Sequence, residues 1–167
     1  MRVRMLMGSL GVIVLAVAVR GQQAPPPPEK ALPGQLNFVT KQLLDMAEDF
    51  PAEKYDFKPT PEVRTAREVF VHAMSGTVYA GKIARGETAQ WSELDAANYK
   101  DKAAVVAAFK KAAADLDAAL KAVPATRFAA SPQPWVSVIE HTGEHYGQMV
   151  VYYRLNKMVP PASRPKK

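Results

Sequence analysis

Glu140-His141-Thr142-Gly143-Glu144-His145-Tyr146-Gly147-Gln148, close to the C-terminus, carries two of the chain's three histidines four residues apart. On a helix that spacing sets both imidazoles on one face, about one turn from each other, as in a metal-chelating pair. At ~100° per residue, Gln148 and Tyr152 continue the same stripe, and Trp135, Ile139, Tyr146, Met149 and Tyr153 make an apolar flank beside it. The stretch therefore predicts a helix buried on two sides. Gly143 and Gly147 each cost roughly 1 kcal/mol relative to Ala inside a helix. Their presence predicts close approach of a neighbouring helix or a ligand at both positions.

Working outward, Ser131-Pro132-Gln133-Pro134 opens this helix, which continues to Asn156 ahead of Pro160-Pro161. Before it, Asp101 to Val123 is alanine-rich, with Val106, Phe109, Ala113, Leu116, Leu120 and Val123 at steps of three and four, and Pro124 stops it. Thr65-Ala66-Arg67-Glu68 spells a capping box, so another helix starts there and runs to Arg85 before Gly86. Its inward stripe is Val69, His72, Gly76, Tyr79 and Ile83, with Glu68 one turn before His72. From Leu32, the positions Leu36, Val39, Leu43, Met46 and Phe50 mark a first amphipathic helix, ended by Phe50-Pro51. The connection Glu53 to Arg64, flanked and stiffened by Pro51, Pro59 and Pro61, reads as an ordered loop whose aromatics plug one end of the core. Residues 86–100 show no sustained period and read as a crossover loop carrying Trp91. Four helices and no strand predict an all-α four-helix bundle with a long crossover between helices two and three.

The chain has 167 residues, 48% hydrophobic and 23% charged, enough for one well-filled core. Of the net charge of +6, Arg2, Arg4 and Arg20 supply three units, and Lys157, Arg164, Lys166 and Lys167 cluster at the other end. No basic stripe is interleaved with aromatics, which argues against nucleic acid as a partner. The absence of cysteine removes disulfides, thiolate metal sites and cysteine nucleophiles, so any metal here must use N and O ligands. Arg2 and Arg4, the uncharged run Met5 to Val19 and then Arg20-Gly21 form a secretory signal pattern over residues 1–21. The run falls short of the ~20 residues that span a bilayer, so no stable membrane anchor is expected after cleavage. The expected location is periplasmic or secreted. A proline-rich linker over residues 22–32, a bundle over 33–162 and a basic tail over 163–167 complete the division.

His141 and His145 can supply two nitrogens from one helix and His72 a third from a facing one, leaving open positions, which is the layout of a catalytic rather than a structural site. His141 to His145 also matches the inverted zinc-protease pattern H-x-x-E-H. Those enzymes need a downstream carboxylate ligand, and Tyr146 to Lys167 contains no Asp or Glu. Glu144 lies roughly 80° from the midpoint of the histidine pair and suits an outer position or solvent.

His72, the His141-Thr142-Gly143-Glu144-His145 pair, the following Tyr146-Gly147-Gln148 and the connection Tyr55-Asp56-Phe57-Lys58-Pro59-Thr60-Pro61 together resemble the DinB family of bacterial metal-binding proteins, over residues 33 to 162. The resemblance implies a four-helix bundle with a long crossover, often a homodimer. It also implies a divalent metal, Zn²⁺ or Ni²⁺, on His72, His141 and His145. Characterised members include transferases and isomerases using low-molecular-weight thiols, a chemistry that export away from the reduced cytosolic pool argues against. The expectation is a metal-dependent enzyme, hydrolase or transferase in type, acting on a small-molecule substrate. In it Gln148 and Tyr152 orient substrate, and Glu144 or Glu68 serves as base. The alternative is a non-catalytic metal-binding or structural bundle.

Overall fold

The computed structural model describes residues 24–165. Residues 1–21, expected as a signal peptide, and Lys166 and Lys167 of the basic tail lie outside it. The described residues form helices α1 (Pro28–Asp49), α2 (Ala66–Ala84), α3 (Lys102–Lys121), α4 (Ala125–Ala130) and α5 (Gln133–Leu155), with short 3-10 turns and no strand. α2, α3 and α5 match the helices expected from periodicity. The capping box that opens α2 is complete: the Glu68 amide donates to the Thr65 hydroxyl at 3.2 Å, and the Thr65 amide donates to the Glu68 carboxylate at 2.7 Å.

Polar contacts near the helix ends fix the direction of each helix. Asn37, early in α1, donates to Asp117, late in α3, at 2.8 Å, and Lys102 at the start of α3 donates to the carbonyl of Phe50 beyond the end of α1 at 2.9 Å. α1 and α3 are therefore antiparallel. Tyr153, late in α5, donates to the carbonyl of Met46, late in α1, so those two run parallel. Arg127 on α4, just past the end of α3, donates to the carbonyls of Ile83 and Ala84 at the end of α2. α2 and α3 thus end together and run the same way. Two consecutive parallel helices need a connection that travels the length of the first, here about 28 Å. Residues 85–101 make that journey as the expected crossover, bound on the way by the Leu94 amide donating to Ser75 Oγ at 2.9 Å.

The interior divides into two apolar clusters. At the end where α1 and α5 finish, Phe50 packs between Tyr55, Phe70 and Tyr153, with ring centroids 5.0–6.3 Å apart. Tyr55 plugs that end as the sequence suggests, with its hydroxyl on the Ala47 carbonyl. At the other end Leu36, Leu116, Phe128 and Trp135 fill the space.

Three features differ from the sequence reading. α1 begins at Pro28, so residues 28–32 are helical rather than part of a spacer. Proline in the first turn lacks only a donor the helix cannot use there, and its fixed φ suits the start. α4 was not expected. Its six residues sink Phe128 against Trp135, centroids 5.2 Å apart, and its Arg127 satisfies end carbonyls of α2 that have no partner within that helix. Finally, Gly143 and Gly147 meet nothing: a methyl group on either would lie more than 4 Å from any heavy atom outside the local helix. The close approach occurs at Gly76 instead. Gly143→Ala and Gly147→Ala are each expected to raise stability by about 0.5–1 kcal/mol through helix propensity alone. Urea unfolding would check this, and a lowered midpoint in either variant would disprove it.

Candidate metal centre

Antiparallel packing of α2 against α5 sets His72 opposite His141 and His145. One ligand nitrogen of each lies within 4.8 Å of the other two. The ring centroids are 4.6–4.9 Å apart, and the Nε2 atoms of His72 and His141 are 3.1 Å apart. Two imidazole nitrogens at that distance repel unless a proton or a cation lies between their lone pairs. Two nitrogens on one tetrahedral ion, with bonds of ~2.0–2.1 Å, sit about 3.3 Å apart. The donor set and its spacing fit a divalent cation.

The triad occupies a groove at the bundle's flank. Phe70, Ala73, Met74 and Thr77 turn fully inward on α2, while His72, Tyr79 and Ile83 are half-buried at the edge. The expected inward stripe thus marks the α2–α5 seam rather than the core centre, because the crossover covers this side of α2. Trp91, on that loop and 43% exposed, packs edge-on to His141 with centroids 4.6 Å apart and lies 5.7 Å from Tyr79.

The second nitrogens have different surroundings. His145 Nδ1 pairs with Gln148 Oε1 at 2.8 Å, a contact in which the ring N–H donates and leaves Nε2 free as a ligand. The Gln148 amide reaches the Tyr152 hydroxyl at 3.5 Å, and that hydroxyl donates to the Arg64 carbonyl. His72 Nδ1 is 2.8 Å from Glu93 Oε1, and Glu93 is 3.1 Å from the Arg64 guanidinium. The His72–Glu93 approach is within contact distance yet off the line of the N–H bond, so Nδ1 counts as buried without an aligned partner. It is an ion–dipole contact, and no other acceptor reaches that nitrogen. His141 Nδ1 is also buried and unpartnered, and it faces the bare backbone of Gly76.

Among the other residues expected to act, Glu144 is exposed on α5 beside His145. Glu68 is spent on the helix cap; the Thr65 amide holds its carboxyl below the usual range, a poor setting for a base. Tyr152 is buried, 2% exposed, with its hydroxyl engaged, so it supports Gln148 rather than meeting a substrate. Gln148 does line a cleft of about 800 Å³, together with Lys58, Arg64, Glu68 and Glu93. A smaller one of about 340 Å³ lies on the far side of Trp91, bounded by Tyr79, Val138 and His141. Arg64, Gly76 and Glu93 are site residues that the sequence reading did not single out as such. Only Gly76 left a signal: a glycine on the histidine stripe, one turn after His72.

Burial, then repulsion from His145 and His72 and from Arg64, holds the His141 imidazole down to about 4. His145 is lowered as well, by burial first, against the opposing Gln148 contact. His141 stays neutral, the ligand form, well into acid, and His145 keeps that form below its ordinary range. In the unfolded chain they titrate near the ordinary value of 6.5, so between about pH 6.5 and 4 the unfolded state binds more protons. The metal-free protein is expected to keep full stability above about pH 6.5 and to lose it as pH falls toward 4. The loss from His141 is on the order of 1–2 kcal/mol, discounted because the ring is only half-buried. Urea midpoints across that window would measure it, and a His141→Ala variant showing the same slope would refute the assignment.

A family model described as the DinB superfamily matches residues 35–152, a span that holds all three histidines, Arg64, Gly76 and Glu93. No curated protein matches the chain.

Proposed function

The chain belongs to the DinB superfamily, and we propose from that premise that it is an exported, metal-dependent enzyme, hydrolase or transferase in type, acting on a small molecule. His72, His141 and His145 would hold one divalent cation, Zn²⁺ or Ni²⁺. Such a cation supplies Lewis acidity, polarising an electrophile and lowering the pKa of a group brought to it. The observation that carries the reading is a three-nitrogen cluster with open clefts beside it, the larger lined by its neighbours Gln148 and Glu93 and the smaller by His141 itself. Three protein ligands beside a solvent-reachable space is the layout of a working site, whereas structural sites are closed by a fourth ligand.

The chain's own residues would do the rest. Gln148 sits at the boundary between triad and cleft, holding His145 through its oxygen and presenting its amide edge toward bound substrate. Trp91 shields the ring edges of His141 and His72 from water on the other side. Glu144, exposed beside His145, is a free carboxylate near the triad on α5, as is Glu140 beside His141. Export rests on the charge and hydropathy pattern of residues 1–21; with it goes the expectation that glutathione-like thiols are not the substrate.

The deciding experiment is elemental analysis of the purified mature protein, beside the His72→Ala variant. One equivalent of a divalent metal per chain, absent from the variant, supports the reading. No metal in the wild type, even after loading and dialysis, would end it.

A further inference from the structure

Arg64, the residue before the cap of α2, touches both systems that orient the triad. Its backbone carbonyl accepts from Tyr152, the last link of the run His145–Gln148–Tyr152 on α5. Its guanidinium grips Glu93 at 3.1 Å, and Glu93 lies 2.8 Å from His72 Nδ1. The two ligand-bearing helices are thus referenced to one residue, and the crossover loop delivers the carboxylate between them.

Resting on the metal-site reading above, we propose that Glu93 is the positioning residue of His72. It holds the proton of that imidazole on Nδ1, so that the Nε2 lone pair faces His141 and His145, and Arg64 fixes the carboxylate in place. Several facts on the chain's own atoms point there. His72 Nδ1 is buried with no other acceptor, and a neutral imidazole there either keeps its proton toward the carboxylate or strands it against His141. Glu93 is an exposed loop residue, yet its carboxylate is held against His72 and the Arg64 guanidinium rather than left to solvent. A ligand imidazole whose far nitrogen donates to a carboxylate is both better aligned and a stronger base toward a cation. The pairing has the same logic as His145 with Gln148, but carries a charge.

The test has two readouts on the full chain. The first needs no metal: long-range proton–nitrogen correlation on the metal-free protein reports which nitrogen of His72 carries the proton. Wild type is expected in the Nδ1–H form, and Glu93→Ala is expected to shift toward Nε2–H. The second is competition titration with Zn²⁺. Glu93→Ala is expected to bind about 10- to 100-fold more weakly than wild type, with Glu93→Gln, which keeps an acceptor oxygen, in between. Thermal midpoints of the metal-free variants should match wild type, since Glu93 anchors no core residue. Wild-type affinity and an unchanged tautomer in Glu93→Ala would overturn the proposal while leaving the metal site intact. Failure of the wild type itself to bind Zn²⁺ would instead strike the underlying reading, and an Nε2–H tautomer in the wild type would overturn the Glu93 role by itself.

Discussion

His145→Ala is expected to bind Zn²⁺ or Ni²⁺ at least ~100-fold more weakly than wild type while keeping its helical fold. Apparent binding energies of ~10–16 kcal/mol for four-ligand zinc sites put each ligand at roughly 3 kcal/mol, or about two decades in affinity. His145 gives one of three nitrogens, and the lone amide of Gln148, left without its imidazole, has no route to replace it. The fold should survive because the half-buried imidazoles sit at the edge of the two apolar clusters, whose central residues Phe50, Phe70, Leu116 and Trp135 keep their contacts. Competition with a chromophoric chelator, read beside far-ultraviolet circular dichroism, separates the two effects. Wild-type affinity in both His141→Ala and His145→Ala would show that the ligands lie elsewhere. Loss of helicity together with metal would make the ion structural.

Gly76→Leu should cost both metal and stability. A Cβ at this position already meets His141 Nδ1 at 3.0 Å, Trp91 at 3.4 Å and Val138 at 3.5 Å. A methyl group alone forces a few tenths of an ångström from the imidazole, and a leucine cannot be housed without driving His141 or Trp91 from the seam. Overpacking of this kind typically costs 1–3 kcal/mol. Displacing His141 removes a ligand as surely as deleting it, so affinity should fall by a further ~100-fold class of effect, as for His145→Ala. Gly143→Ala, on the open face of the same pairing helix, is the matched control and should leave metal binding unchanged. A Gly76→Leu protein with wild-type affinity would show that His141 is not held where the geometry places it.

Gly76 and Gly143 also show where local pattern stops informing. From the sequence, Gly143 and Gly147 looked like contact points because they interrupt a helix that carries two histidines, and a helix glycine carries a known cost. That cost says the position is unusual; it does not say which way the position faces after packing. α5 turns both outward, and the glycine that meets a neighbour is the one on α2, under His141.

The chain's periodicity by itself determined the four long helices, the all-α class and the inward faces that carry the three histidines, because each is written in local terms. Apolar spacing at three and four residues defines a buried face whatever the partner is, and an i, i+4 pair on one helix needs no tertiary fact to share a side. His72 followed from the same periodicity, which put it on the inward stripe of the second helix where it could supply a third nitrogen. What the tertiary structure alone decided is which loop residues reach that seam. Arg64, Trp91 and Glu93 have no period to betray them, and Glu93 lies 21 residues from His72 in sequence yet 2.8 Å from its Nδ1. Their places follow from α2 and α3 running parallel, which compels residues 85–101 to climb back along the flank where the histidines lie. That direction is set by end-to-end contacts among distant helices, and no local stretch of sequence contains it.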